Sequence, residues 1–299
     1  MNCFDVQVKP SNMKRIFYAT MASALVFTAC QSNAKPTPEP KETIPAAVTK
    51  LWETDTILRT PESVLYDAGG NRLIVSLING NGSEKDGIGE IAILTPDGKV
   101  VNTQFTQGLN APKGLALHQN KLYVSDIDQV VLINANTGEI LKKIGIDTAK
   151  FLNDVTVDPK GTVYVSDSRT GTIYTISNDI ASEYKHGFNN VNGLKFNDDT
   201  LWVLAHDELK KIHNDSVTTV AKFPVDAMDG IEIVDDSTFI TSSWHGQIFL
   251  AKKDGTVTEI LNTREEKKNT ADIGYDAKTR TVFVPTFFGN TVSAYKIDE

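Results

Sequence analysis

The chain has 299 residues, 40% of them hydrophobic and 23% charged, enough to bury a sizeable core in one large domain or two. Thirty basic side chains against 38 acidic ones leave a formal charge of -8 and exclude the basic surface that tracking nucleic-acid phosphates requires. Two cysteines, Cys3 and Cys30, both near the front, rule out a disulfide framework for the rest of the chain.

The front of the chain reads as an address rather than as part of a fold. Residues 1–12 precede the basic pair Lys14-Arg15 and are expected to be an over-long start, with Met13 the initiator. An apolar run from Ile16 to Phe27 then leads to Thr28-Ala29-Cys30, the order of a secretory signal peptide over residues 13–30. The run is too short and wrongly flanked for a spanning helix. Its end resembles the lipobox of bacterial lipoproteins, with Phe27 where Leu is usual. That resemblance implies lipidation of Cys30 and a protein held in the bacterial cell envelope by its lipid anchor alone, facing the periplasm or the cell surface. Residues 31–48, with Pro36, Pro38, Pro40 and Pro45, cannot bury a core and read as a semi-rigid tether.

Residues 49–299 are organised by a repeat. Its clearest copy is Asn153-Asp154-Val155-Thr156-Val157, an Asp158-Pro159-Lys160-Gly161 turn, and Val163-Tyr164-Val165-Ser166-Asp167, which is a β-hairpin by period and turn chemistry. Related phrases start at Glu62, Lys113, Asn192, Asp229 and Ala271, at spacings of 37 to 51 residues. That period, with four antiparallel strands per unit, predicts an all-β, six-bladed β-propeller. The second strand of each unit is nearly all apolar, as in Leu73-Ile74-Val75 and Leu122-Tyr123-Val124, which suits a strand covered on both faces.

The last unit stops after three strands, whereas residues 49–58, before the first unit, have strand character around Leu51 and Trp52. An open ring would expose strand edges, so this N-terminal segment is expected to close the sixth blade as its outer strand. The first unit carries an insertion at residues 79–90, rich in Gly and Asn, read as a flexible rim loop. It lacks the Gly that a calcium-binding EF-hand loop needs at its sixth position, where Glu84 stands.

The residues that begin the six units come together around the axis of a propeller. In order they are Glu62, Lys113, Asn153, Asn192, Asp229 and Ala271, and four of them carry side-chain oxygens. Converging carboxylate and amide oxygens are what a hard divalent cation, Ca²⁺ first, binds. The bland reading is that Asn or Asp before Gly merely eases the chain into a strand.

The succession Glu62-Ser63-Val64, Asn153-Asp154-Val155, Asn192-Gly193-Leu194 and Asp229-Gly230-Ile231 resembles the regucalcin/gluconolactonase family across residues 55–299. The resemblance implies a divalent cation held by Glu62, Asn192 and Asp229, with Asn153 touching substrate or completing the coordination. It also implies hydrolysis of a lactone or related ester, with Asp229 or Asp154 taking the proton. The Arg that often precedes the Asn-Asp phrase in that family is replaced here by Phe151-Leu152, which removes a clamp for sugar acids. Pro112-Lys113-Gly114-Leu115 and Leu122-Tyr123-Val124-Ser125-Asp126 are also similar to NHL-repeat propellers, which implies the alternative of a non-catalytic propeller binding a ligand or protein on one face. His206 and His245, each just after a second strand, are further candidates as bases at the channel mouth, and Trp244 as a platform for substrate.

Overall fold

The computed structural model describes residues 48–298; the leader, Cys30 and most of the Pro-rich tether lie outside them. These residues form six four-stranded antiparallel sheets, and the chain is a six-bladed β-propeller. The innermost strands of blades one to six are Pro61–Asp67, Pro112–His118, Leu152–Val157, Val191–Asn197, Met228–Ile233 and Gly274–Asp276. No helix among the described residues is long and apolar enough to cross a membrane.

The core is distributed between the blades. Six apolar clusters each join residues of two neighbouring blades, as where Leu132 and Ile144 of blade two meet Val155, Val165 and Tyr174 of blade three. A second strand therefore buries both faces, which is why Arg72–Leu77 and Thr238–Ser243 show almost no polar alternation. Each blade alone would leave both its faces wet, so stability belongs to the closed ring.

Closure is made as expected. The strand Val48–Glu53 pairs antiparallel with Val292–Ile297 as the outer strand of blade six. From it Trp52 stacks at 6.0 Å on Phe283 and donates its indole N–H to the Pro96 carbonyl of blade one at 3.1 Å. Burial pushes the Glu53 carboxyl up, but hydrogen bonds from Lys268 and Lys50 outweigh it and hold the group at about 2. On the inside, the Asp272 N–H donates to the Glu62 carbonyl at 2.9 Å and the Val64 N–H to the Asp272 carbonyl at 3.1 Å, joining blades six and one. Removing residues 48–54 is expected to abolish cooperative thermal unfolding altogether, which a circular-dichroism melt of the shortened chain checks.

Candidate functional site

The local cause of the site is a repeated irregularity at the start of the inner strands. In blades one to five the pairing between first and second strands slips where the unit begins, between Pro61 and Ser63, Pro112 and Leu115, Leu152 and Val155, Val191 and Leu194, and Met228 and Ile231. A bulge frees one or two residues from the ladder and re-aims their side chains. The first residue freed in each of these blades is Glu62, Lys113, Asn153, Asn192 or Asp229. In three blades a backbone N–H that the bulge leaves unpaired is met by the serine next to last in the second strand: Ser76 accepts the Ser63 N–H at 2.9 Å, Ser166 the Asp154 N–H at 3.0 Å and Ser242 the Gly230 N–H at 2.8 Å. The recurring Val-Ser of the sequence is thus the partner of the bulge.

The glycines after the ring residues serve close approach. A β-carbon on Gly193 would lie 2.2 Å from the Asp229 carbonyl oxygen, and one on Gly230 would lie 2.5 Å from the Ile273 nitrogen. Neither position has a positive φ, so the Asn-Gly and Asp-Gly pairs are not turn formers here. They let neighbouring inner strands touch.

A second irregularity sorts the six blades. Thr60, Asn190 and Ala227 have left-handed φ values of 48°, 45° and 53°. They stand two residues before Glu62, Asn192 and Asp229 and have no counterpart before Lys113, Asn153 or Ala271. Left-handed backbone is disfavoured for residues with a β-carbon by about 1–2 kcal/mol each and is retained where something over-determines it.

Glu62, Lys113, Asn153, Asn192 and Asp229 converge on one cavity of about 270 Å³, walled by Ile78, Phe151, Trp244 and Phe287. Glu62 and Asp229 are 5% and 3% exposed, so their charges are held out of water. The Asn192 amide donates to Asp229 Oδ1 at 3.0 Å, while Asn192 Oδ1 and Glu62 Oε2 are buried and accept no hydrogen bond among the described residues. Burial first, and then the neighbouring Asp229 charge, push the Glu62 carboxyl well above the usual range. Burial and Asp272 do the same to Asp229. Two orphaned oxygens beside two mutually repelling carboxylates fit a hard cation. The Asn153 amide is oriented by donating to Ser168 Oγ at 3.1 Å.

Lys113 is the member of the ring that an oxygen-based reading passes over. Its ammonium, 2% exposed, donates to the carbonyls of Ala111 and Gly82 at 3.0 Å each and lies 4.4 Å from the Phe151 ring centroid. Burial lowers its pKa and the Glu62 charge opposes that. The Gly82 contact also corrects the expectation for residues 79–90. That loop is tied down by the Asn79 amide, which donates to the Ile88 carbonyl and Glu90 at 2.8 and 2.9 Å, and it reaches the cavity wall.

Asp154 does not face this cavity. It lines a second cavity of about 370 Å³, with Asp272, Lys195 and Glu232. Its carboxylate is occupied by the backbone N–H groups of Leu194 and Val155 at 2.6 and 2.7 Å. It cannot take a proton beside Asp229 and instead ties blade three to blade four. In the same cavity burial raises the Asp272 carboxyl to about 7, with Glu232 adding to it and the Ser63 hydroxyl and Lys195 opposing. A carboxyl raised on folding binds more protons folded than unfolded, so stability falls as pH rises from about 4 to about 7. Asp272→Asn is expected to flatten that part of the curve and raise the melting temperature at pH 8, read by calorimetry across pH.

His206 and His245 lie on the rim rather than in the cavity lining. His245 Nε2 is 2.9 Å from Asp226 Oδ1 and His206 Nε2 is 3.9 Å from Asp226 Oδ2, so both rings gather on one carboxylate. Trp244 does line the cavity, in edge-to-face contact with Phe287 and Phe288.

No protein-family profile and no curated protein matches the chain. Solved structures do. A streptogramin B lyase is similar at a TM-score of 0.62 and 13% identity, over 84% of this chain and 97% of that one. Two structures of virginiamycin B lyase from Staphylococcus aureus are similar at 13% identity, each over 83% of this chain and 98% of theirs. One is a catalytically inactive histidine variant with quinupristin, at a TM-score of 0.60. The other is the selenomethionine-substituted protein, at 0.61. At this identity the likeness is one of fold: this chain shares the propeller architecture of those lyases.

Proposed function

We propose that the cavity holds a divalent cation, Ca²⁺ first among candidates, and cleaves a small lactone or ester. The carrying observation is the pair of buried, unbonded oxygens, Glu62 Oε2 and Asn192 Oδ1, beside Asp229. Glu62, Asn192 and Asp229 would hold the ion, with Asn153 completing the set or meeting substrate. Bound there, the cation would supply Lewis-acid polarisation of the substrate carbonyl. The Asp229 carboxylate, steadied at Oδ1 by the Asn192 amide, takes the proton of the attacking water. Water adds across the acyl carbon–oxygen bond, its hydroxyl going to the acyl carbon and its proton, through Asp229, to the departing oxygen. The Lys113 ammonium offsets the Glu62 charge, and Ile78, Phe151, Trp244 and Phe287 keep bulk water from the reacting groups. Cys30 and the Pro-rich tether support a position in the cell envelope, which loss of lipid labelling in Cys30→Ser checks.

The test is calorimetric titration of chelator-stripped protein with Ca²⁺, Mg²⁺ and Mn²⁺, followed by a lactone and ester screen with and without the ion. Saturable one-to-one binding and ion-dependent cleavage are expected. Absence of binding to all three ions overturns the cation site; binding without turnover leaves the alternative of a non-catalytic propeller. Because the similar solved structures are lyases, cleavage is run in heavy-oxygen water: hydrolysis labels the acid product, elimination does not.

A further inference from the structure

Two chemically different walls flank the cavity. On the side of blades five and six, Trp244, Phe287 and Phe288 pack edge to face, with ring centroids 5.7, 5.9 and 4.8 Å apart pair by pair. Phe287 and Trp244 line the cavity while Phe288 remains 65% exposed. On the side of blades two and three, Phe151 carries two cations against its ring, Lys113 at 4.4 Å and the Arg169 guanidinium at 5.4 Å. A separate open hollow lined by Phe151, Ser168, Arg169 and Asn190 adjoins the cavity, sharing Phe151 and Asn190 with it.

The aromatic wall is built rather than incidental. Phe287 has a φ of 49°, a region disfavoured for a bulky residue. Its loop is locked around it: Thr286 Oγ1 and the Thr291 backbone hydrogen-bond each other, the Thr291 N–H donating at 3.1 Å. From the adjoining blade one, the Thr60 N–H donates to Asn290 Oδ1 at 2.8 Å. A left-handed φ at a bulky residue persists only where its surroundings over-determine it, as these bonds do beside the cavity. The opposite wall is equally specific. In a chain of charge -8, the Arg169 guanidinium makes no hydrogen bond or ion pair among the described residues and is only stacked, which leaves its edge N–H groups free.

We infer that the ligand of this cavity is an anionic aryl compound: its aromatic ring lies against Trp244, Phe287 and Phe288, and its carboxylate meets Arg169 at the other lip. The inference rests on the ester-cleaving reading only for the reaction, and names the substrate class as an aryl-bearing ester or lactone with a single negative charge. An aromatic ring is favoured over an aliphatic one because it continues the edge-to-face packing of the three rings. A carboxylate is favoured over a neutral group because the guanidinium edge matches it with two parallel hydrogen bonds.

The experiment separates binding from turnover. Phenylpropionate, phenylpropanol and propionate, none of them cleavable, are titrated into the full chain with and without Ca²⁺. Tryptophan fluorescence is the readout. Trp244 is the one of three tryptophans that lines the cavity, and Trp244→Phe identifies its signal. Phenylpropionate is expected to bind about tenfold more tightly than phenylpropanol, a gap that Arg169→Gln removes. Phe288→Ala is expected to weaken phenylpropionate about tenfold and leave propionate unchanged. Equal binding of the charged and neutral aryl probes, an unchanged gap in Arg169→Gln, or no binding of any aryl probe overturns the inference. If the probes behave as expected but no matching aryl ester is cleaved, the ligand class stands and the hydrolase reading falls. If a neutral aliphatic lactone is cleaved and phenylpropionate does not inhibit, the reverse holds.

Discussion

Glu62→Gln is expected to move stability in two opposite directions, depending on the ion. In chelator-stripped protein at pH 8 the variant should melt higher than wild type. The Glu62 carboxyl is raised on folding, chiefly by burial and then by Asp229, so its ionised form destabilises the native state at every pH above the ordinary carboxylate range. Glutamine fills nearly the same volume without that charge. With saturating Ca²⁺ the order reverses. An ion at a hundred times its dissociation constant adds about 2.7 kcal/mol to the wild type. At roughly 2–4 °C per kcal/mol for a domain of this size, that is a shift of about 5–10 °C. The variant, short of a charged ligand, should bind at least about 100-fold more weakly and show almost none of it. Differential scanning calorimetry with and without Ca²⁺ reads both signs. A variant that matches wild type in both conditions would remove Glu62 from any cation site.

The largest effect on folding is expected at Gly230. Alanine there would place its β-carbon 2.5 Å from the Ile273 nitrogen and 2.9 Å from the Asp272 α-carbon, both backbone atoms of the next blade. Neither can move without parting the inner strands of blades five and six, and Asp229 and its partner Asn192 would move with them. Overpacking of this kind costs about 3 kcal/mol or more, a loss of roughly 6–12 °C in melting temperature. Gly145, whose β-carbon would meet nothing within 4 Å, is the control, and Gly145→Ala should change stability by less than about 0.5 kcal/mol. Equal melting temperatures for the two variants would show that the blades yield at the axis. The close approach would then have no part in holding the site.

The strand pattern, the six-fold repeat and the outer strand that blade six takes from residues before the first unit were all legible in the sequence. Each depends on periodicity within a short stretch or on a simple count of strands. So was the set Glu62, Asn153, Asn192 and Asp229, because equivalent positions in a repeat become neighbours around one axis. The reason for their inward turn was hidden. The bulge is a register slip between two strands, and the serine that satisfies it belongs to the second strand, a dozen residues away. Asp154, next to Asn153 in the chain, lines the other cavity instead and accepts the Leu194 N–H of the next blade, a contact between blades that the linear order does not show.

What only the tertiary structure decided is everything that arrives at the cavity from a different part of a blade. Lys113 was visible in the ring, but not that its ammonium sits buried over Phe151 and opposes Glu62. Trp244 was a candidate platform from its place after a second strand, but its packing against Phe287 of blade six, and the stacking of Arg169 on the cavity residue Phe151, are marked by no local pattern. His206 and His245 stood at plausible positions along the chain and were carried to the rim, where they share Asp226. Sequence by itself determined the ring and the residues that begin its blades around the axis, since a repeat maps linear order onto angular order. The walls of the cavity follow from contacts between blades, which no single repeat encodes.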